Sequence, residues 1–338
     1  MMKTSSERIA VLGGGSWGTA LANVLAGNGH DTTLWVYEQD LALEMASTRI
    51  NSVYLPGITL HPSLACSSTL NEVVSGRSII LLVTPVQVMR GVLKNALDNF
   101  APQALIVNAS KGIELETLKT VSQICSEFMG SDILDRYVAL SGPTFAREVA
   151  GGLPSLIVAG ARNQQAAQRV QAVLSNQVFR VYTNSDMVGV ELGGAIKNVI
   201  AIAAGICDGL GFGHNARAAL ITRGLAEMKR LGQAMGAQPA TFAGLAGMGD
   251  LVLTCTGDLS RNRTVGYKLG EGKSLSEILS EMRMVAEGVK TTDSVYQLSL
   301  RLQVEMPIVE KVYQILHEDK SARQAVTELM ARDLKSEV

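Results

Sequence analysis

The chain has 338 residues, 47% hydrophobic and only 4% aromatic, with 30 basic and 31 acidic residues for a formal net charge of −1. That length exceeds what one core usually fills, so two domains are expected. Near-neutrality, with no basic block and no interleaving of aromatic and basic residues, argues against nucleic acid or a membrane surface as the main partner. The cysteines at 66, 125, 207 and 255 show no CxxC and no nearby histidine pair. Neither a metal site nor a disulfide framework is therefore expected, and reduced thiols in a cytosol fit better. The N-terminus carries Lys3, Glu7 and Arg8 instead of the apolar segment of a signal peptide. No run approaches the roughly 20 apolar residues that span a bilayer. The expectation is a soluble cytoplasmic protein with no membrane insertion.

In chain order, Ile9–Leu12 reads as a strand, and Gly13-Gly-Gly-Ser16-Trp17-Gly18 follows at once. A helix over Thr19–Ala26 and a strand over Thr32–Tyr37 complete a βαβ unit, the context in which GxGxxG signals dinucleotide binding. Gly13 permits the tight turn, Gly15 the approach of a pyrophosphate, and Gly18 close packing of helix on strand. The N–H groups at the helix start then face the phosphates. At the end of the second strand, Glu38 is a candidate for an NAD ribose, although it lies late, and no Arg stands beside it for an NADP phosphate. Tyr37 reads equally well as an adenine cover or an ordinary strand-end aromatic.

Strands over Ser78–Val83, Ala104–Asn108, Val138–Leu140, Leu156–Ala159 and Phe179–Thr183 then alternate with helices over Val86–Leu97, Thr117–Met129 and Gln164–Leu174. Such alternation predicts a parallel, doubly wound sheet with helices on both faces. Ligands bind beyond the carboxyl ends of such strands. Thr84-Pro85, Ser110-Lys111-Gly112 and Gly142-Pro143-Thr144 all stand there. Lys111 is either a solvated loop lysine or a crevice residue.

From Asp186 onward the strand patterns stop. Glu191–Gly205 reads as a helix, with Lys197 on a stripe of Gly193, Gly194, Ala201, Ala204 and Gly205. The stripe fits either a close helix–helix seam with Lys197 at its edge or a face that something must approach closely. Further helices are predicted over Asn215–Met235, with Asn215 as cap, from Arg261, and over Thr291–Leu302, Pro307–Leu316 and Ala322–Ala331. Ser260-Arg261-Asn262-Arg263 offers two guanidinium groups, an amide and a helix start to a phosphate, or is an exposed basic helix start. Asp250, after Gly-Met-Gly, either holds Lys197 or caps a helix. His214 reads as structural or exposed. The division falls at 188/189: an α/β N-terminal Rossmann-like doubly wound domain over residues 1–188, and an all-α C-terminal substrate domain over 189–338.

These segments resemble the bacterial-type NAD(P)-dependent glycerol-3-phosphate dehydrogenase family along the whole chain. The segments that carry the resemblance are GGGSWGTALA at 13–22, SKG at 110–112, SGPTFAREVA at 141–150 and ELGGAIKNVIAIAAGICDGLGFG at 191–213. NARAALITRGLAEM at 215–228, AGMGDLVLTCT at 246–256, SRNR at 260–263 and VAEGVKTT at 285–292 extend it. The resemblance implies a 6-phosphogluconate-dehydrogenase-like fold, NAD or NADP as cofactor, and a small phosphorylated three-carbon substrate. It also implies a homodimer and a role in glycerophospholipid synthesis. It further implies that Lys197 is the catalytic lysine; on chemical grounds Asp250 would orient it and the nearby Lys111 would lower its pKa. Lys111, Gly142, Thr144, Lys197, Asp250, Ser260, Arg261 and Asn262 resemble substrate-contacting positions. Ser16, Trp17, Tyr37, Lys111, Ala146, Arg261, Val285 and Glu287 resemble cofactor-contacting ones, beside Gly13, Gly15 and Gly18 of the glycine motif. Tyr37 departs from the histidine often found there.

Overall fold

The computed structural model describes residues 6–282, 286–334 and 336. Among these residues, ten strands lie in the first half. They are β1 (Arg8–Leu12), β2 (Asp31–Trp35), β3 (Ile50–Asn51), β4 (Leu55–Thr59), β5 (Ala65–Ser67), β6 (Ile79–Leu82), β7 (Leu105–Asn108), β8 (Tyr137–Ser141), β9 (Ser155–Gly160) and β10 (Phe179–Asn184). Eight form one sheet in the order β10-β9-β8-β7-β6-β1-β2-β5, and β3 and β4 form a small antiparallel ribbon. Strand β6 is buried along its full length, as expected of a sheet covered on both faces. The strand order reverses beside β1, which pairs with β2 on one side and β6 on the other. That switch point is where an open α/β sheet leaves its ligand crevice.

One expectation fails: the sheet is mixed, because β9 runs antiparallel to β8 and β10 runs parallel to β9. The connection from β8 to β9 contains only the five-residue helix Ala146–Ala150. Five helical residues rise roughly 7.5 Å, too little to carry the chain back along a strand of about 16 Å. The chain therefore re-enters the sheet from the same end.

That reversal aims the next element. The chain leaves β10 and enters a 23-residue helix, Met187–Gly209. Val190 packs over Gly160 at the end of β9, and Gly194 lies against Ser141 at the end of β8. Because these strands are antiparallel, the helix climbs toward the carboxyl ends of β6, β7 and β8 and carries Lys197 to the crevice. Were β9 and β10 parallel to the rest, the helix would start at the crevice and run away from it. The 188/189 division falls in the first turn of this helix.

Among the described residues, the chain from Met187 onward has no strand, and helices packed around Met187–Gly209 make up this half. That helix is long and apolar enough to cross a membrane, with mean hydropathy 1.5, contrary to expectation, yet its apolar window is wholly buried in the fold. A helix that is hydrophobic all round belongs in the centre of a core. Its seam with the Arg261–Gly270 helix is so close that a Cβ on Gly205 would stand 2.0 Å from the Arg263 carbonyl oxygen. The helix–helix reading of the glycine stripe therefore holds at Gly205.

Two helix starts differ from expectation. The helix expected from Thr117 begins at Val121, where Thr120 and Gln123 form a capping box, after Leu118 takes a left-handed conformation. Asn215 is not a cap, since its helix is Gly213–Ala234. Between Glu38 and Ser78, where no periodicity stands out, the chain forms the helices Gln39–Thr48 and Leu70–Val74 as well as β3, β4 and β5. Most of these elements are too short to show a period.

Candidate active site

The glycine loop follows β1 and opens the helix Ser16–Gly27. Gly13 has φ +129°, and a Cβ there would stand 2.7 Å from the Val83 carbonyl oxygen at the end of β6. Only glycine fits that turn. Gly18 faces the Gly13 carbonyl at a distance no side chain would tolerate, whereas nothing lies within 4 Å of a Cβ placed on Gly15. Gly15 is also the N-cap of the helix and supplies no side-chain acceptor, so the first-turn N–H groups look outward uncapped. The Trp17 indole N–H is the one buried side-chain polar atom without a hydrogen-bond partner among the described residues. An open backbone cradle, an uncapped helix start and an unpaired donor fit a dinucleotide pyrophosphate. Tyr37 is 79% exposed and stands edge-on to Trp35, with ring centroids 6.1 Å apart. The Tyr54 hydroxyl donates to Glu38 Oε1 at 2.7 Å.

Beyond the carboxyl ends of β7 and β8, Asp250 draws two lysines together. It is fully buried, and its Oδ1 accepts from Lys197 Nζ while its Oδ2 accepts from Lys111 Nζ at 2.8 Å. The Thr254 hydroxyl accepts from Lys197 Nζ at 2.8 Å and donates to the Asp250 carbonyl at 2.6 Å. Asp250 opens the helix Asp250–Thr256, but its carboxylate serves the lysines and not the helix end. Lys197 is 5% exposed. Burial pushes its pKa well below the ordinary lysine range; Asp250 opposes the shift and Lys111 deepens it. Burial alone would raise the Asp250 pKa, yet Lys111 and Lys197 outweigh it and hold the carboxyl below its usual range. The bare Cα of Gly194 faces the Ser141 hydroxyl and the Lys111 stem, so the close-approach reading of the glycine stripe holds there.

The helix Glu287–Arg301 closes another side. The half-buried Glu287 carboxyl is pushed up to about 7 by burial, against the pull of Arg261, Lys111 and Lys197. Those four charges therefore share one locale. Of the two guanidinium groups read as a phosphate site, Arg263 pairs instead with Asp208 at 2.8 Å and Asp258 at 3.0 Å. Arg261 is exposed at the first position of its helix, close enough to Glu287 to act on its carboxyl. The Ser260 hydroxyl caps that helix by accepting from Arg263 N–H at 3.2 Å, and Asn262 Oδ1 accepts from Gly288 N–H at 3.0 Å. Both side chains thus have structural partners here. Gly142, at φ +155°, accepts from the Thr144 hydroxyl at 3.1 Å, and Ala146 opens the short helix beyond them. Val285 lies outside the described residues. His214 is exposed and bonded to Arg217.

Sequence reasoning missed two residues of this region. Ser141 Oγ donates to Asp250 Oδ2 at 3.4 Å, and Asn51 Nδ2 donates to the Gly14 carbonyl at 2.8 Å, bracing the glycine loop. Ser141 stands at a strand end and opens the SGPTFAREVA segment, the one signal available. Asn51 carried none, because its role depends on the β3–β4 ribbon folding back against the loop.

Residues 8–167 match the profile of the NAD-dependent glycerol-3-phosphate dehydrogenase N-terminus, and residues 186–327 that of its C-terminus. The chain is 68% identical over 330 residues to the glycerol-3-phosphate dehydrogenase [NAD(P)+] of Trichlorobacter lovleyi, covering 98% of this chain and 99% of that one. It is 62% identical over 332 residues to the Geobacter sulfurreducens protein of the same name, with the same shares covered. Among solved structures, the glycerol-3-phosphate dehydrogenase of Coxiella burnetii superposes with a TM-score of 0.92 at 41% identity, covering 97% of this chain and 99% of that one. With a sheet whose order reverses beside the glycine loop, a loop shaped for a pyrophosphate and matches along almost its full length, this chain belongs to the NAD-dependent glycerol-3-phosphate dehydrogenase family.

Proposed function

We propose that this protein interconverts dihydroxyacetone phosphate and sn-glycerol 3-phosphate with NADH or NADPH, and that Lys197 moves the proton. The observation that carries this reading is the buried Asp250 bridging Lys197 and Lys111 beyond the ends of β7 and β8. When bound, the reduced nicotinamide supplies a hydride to the carbonyl carbon. Negative charge then grows on the carbonyl oxygen, and a donor beside it must neutralise that charge. Lys197 is suited to the task because its lowered pKa makes the proton easy to give and to recover near neutral pH. Asp250 and Thr254 orient the amine, and Lys111 keeps the region electropositive toward a phosphorylated ketone. The direct test is consumption of reduced nicotinamide on mixing purified protein with dihydroxyacetone phosphate. Turnover of a 3-hydroxyacid or 6-phosphogluconate instead, or binding without turnover, would overturn the reading. We assign the reaction to the cytoplasm, to a homodimer and to the supply of glycerophospholipid backbones, on the family resemblance.

Arg261 holds the substrate phosphate in this scheme. Arg261→Ala removes a charge-assisted interaction worth about 1.5–3 kcal/mol, which corresponds to a roughly 10- to 100-fold loss in kcat/KM. We expect the KM for the ketone to rise and kcat to fall, because grip on a three-carbon molecule also positions its carbonyl. Unchanged steady-state parameters would remove Arg261 from the site.

At the adenosine end, Glu38 follows β2 and is steadied by the Tyr54 hydroxyl. A carboxylate there accepts from a ribose 2′-hydroxyl and repels a 2′-phosphate. NADH should therefore bind more tightly than NADPH, and Glu38→Arg should invert the order, by about tenfold each way for a charged hydrogen bond. Fluorescence titration of the two reduced cofactors measures both constants; equal affinities in both proteins would refute the assignment.

A further inference from the structure

The site is not the only place where the two halves of the chain lock together through buried polar groups. Glu191, on the second turn of the Met187–Gly209 helix, is 7% exposed and points into the nucleotide-binding half. Its Oε1 accepts from Tyr137 OH at 2.6 Å, Ser122 N–H at 3.0 Å and Asn108 Nδ2 at 3.2 Å, and its Oε2 from Ser122 Oγ at 2.6 Å. All four donors are neutral. A carboxyl group lodged among donors acts as an acceptor on both oxygens, which an amide cannot do. Burying such a group is expensive, and an apolar side chain would pack two halves together at less cost.

The connections of Asn108 show what the arrangement achieves. Besides donating to Glu191, Asn108 accepts from Ser110 N–H at 2.9 Å and donates to the Ser110 carbonyl at 3.3 Å. Ser110 also donates its hydroxyl to the Thr84 carbonyl at 2.6 Å. Ser110 is thus held on both sides of its backbone, and the next residue is Lys111. Lys111 pairs with Asp250, Asp250 with Lys197, and Lys197 lies six residues along the same helix from Glu191, roughly 9 Å at 1.5 Å per residue. The ring closes. One part of it passes through side chains of the nucleotide-binding half, another through Asp250, and the rigid helix joins the two ends.

We propose that Glu191 is a positioning residue: through Asn108 and Ser110 it sets the register between the Lys197 helix and the Lys111 loop. The proposal rests on the roles given above to the two lysines. It locates Glu191 outside the site itself, acting on geometry, since misplacement by about 1 Å can cost as much as 100-fold in rate.

The test is Glu191→Gln, compared with Asn108→Asp and with the double variant, in the full-length protein. The single Gln brings extra N–H donors among the donors that face it, while the double variant returns a carboxylate and an amide to the same contact with their places exchanged. We expect Glu191→Gln to lower kcat about 10- to 100-fold while the KM for the ketone and the affinity for reduced cofactor stay within a factor of about two, and the double variant to recover part of kcat. A structural role alone would lower melting temperature, kcat and cofactor affinity together and show no recovery; that result overturns the proposal. A second readout does not depend on the substrate. Acylation of lysine amines, followed by peptide mass spectrometry, should speed up at Lys111 and Lys197 in Glu191→Gln and stay constant at the exposed Lys94. Unchanged labelling at both lysines in a folded variant also overturns it, whatever reaction the wild-type protein catalyses. A wild-type protein inactive on dihydroxyacetone phosphate that nevertheless shows the labelling change would refute the proposed substrate and leave the positioning role standing.

Discussion

Lys197→Met lowers kcat for reduction of dihydroxyacetone phosphate by about 10²–10⁴, the usual worth of a positioned general acid. Methionine nearly matches the apolar stem of lysine, and the surrounding helix is buried and close-packed, so the fold survives. Asp250 keeps its bonds to Lys111 and Ser141 and does not become an isolated buried charge. The loss is therefore one of proton supply, and cofactor affinity should hardly change. The pH profile gives an independent check. In the wild-type protein, reduction needs the protonated amine, so kcat falls as pH rises through the lowered pKa of Lys197. That limb should disappear in the variant. A folded Lys197→Met enzyme with near-normal kcat and an unchanged profile would end the assignment.

Asp250→Asn acts on stability as well as rate. The carboxylate is fully buried and is the shared partner of two ammonium groups. Removing its charge leaves Lys111 and Lys197 without their shared counter-ion, and an amide oxygen can serve only one of the two amines well. Breaking a buried ion pair in this way costs about 3–5 kcal/mol, which urea unfolding would measure directly. The attraction of Asp250 is also what restrains the downward shift of Lys197. Without it the Lys197 pKa falls further, the amine is neutral at neutral pH, and kcat for reduction drops. The sign yields a sharper expectation: acidification should recover part of the rate, because the proton returns to Lys197 only at lower pH. Loss of activity with unchanged stability, or an optimum moved to higher pH, would contradict this account.

The two substitutions also separate what was legible in sequence from what was not. The GxGxxG loop could be read because its strand–loop–helix context and its glycines are local, and Gly13 and Gly18 are close-packed as that motif requires. The buried strands could be read because apolar runs between turn residues need no partner to be seen. Lys197 stood out by the glycine and alanine around it. Arg263 shows the limit. Beside Arg261 it looked like half of a phosphate clamp, yet Asp208, 55 residues earlier, occupies it. Glu191 shows the same limit from the other side. Nothing near it in the chain announces that Asn108, Ser122 and Tyr137 will converge on its carboxyl group.

By itself, the sequence determined the kinds and order of the main elements, the nucleotide-binding loop and the residue types able to move a proton. These depend on short-range periodicity, turn stereochemistry and side-chain chemistry. Only the tertiary structure decided the reversal of β9 and β10, the direction in which the Met187–Gly209 helix runs, and the meeting of Lys111, Lys197 and Asp250. The reason is physical: where a charged side chain ends up depends on which distant segments exclude water around it, and a single chain shows no distances between segments far apart in sequence.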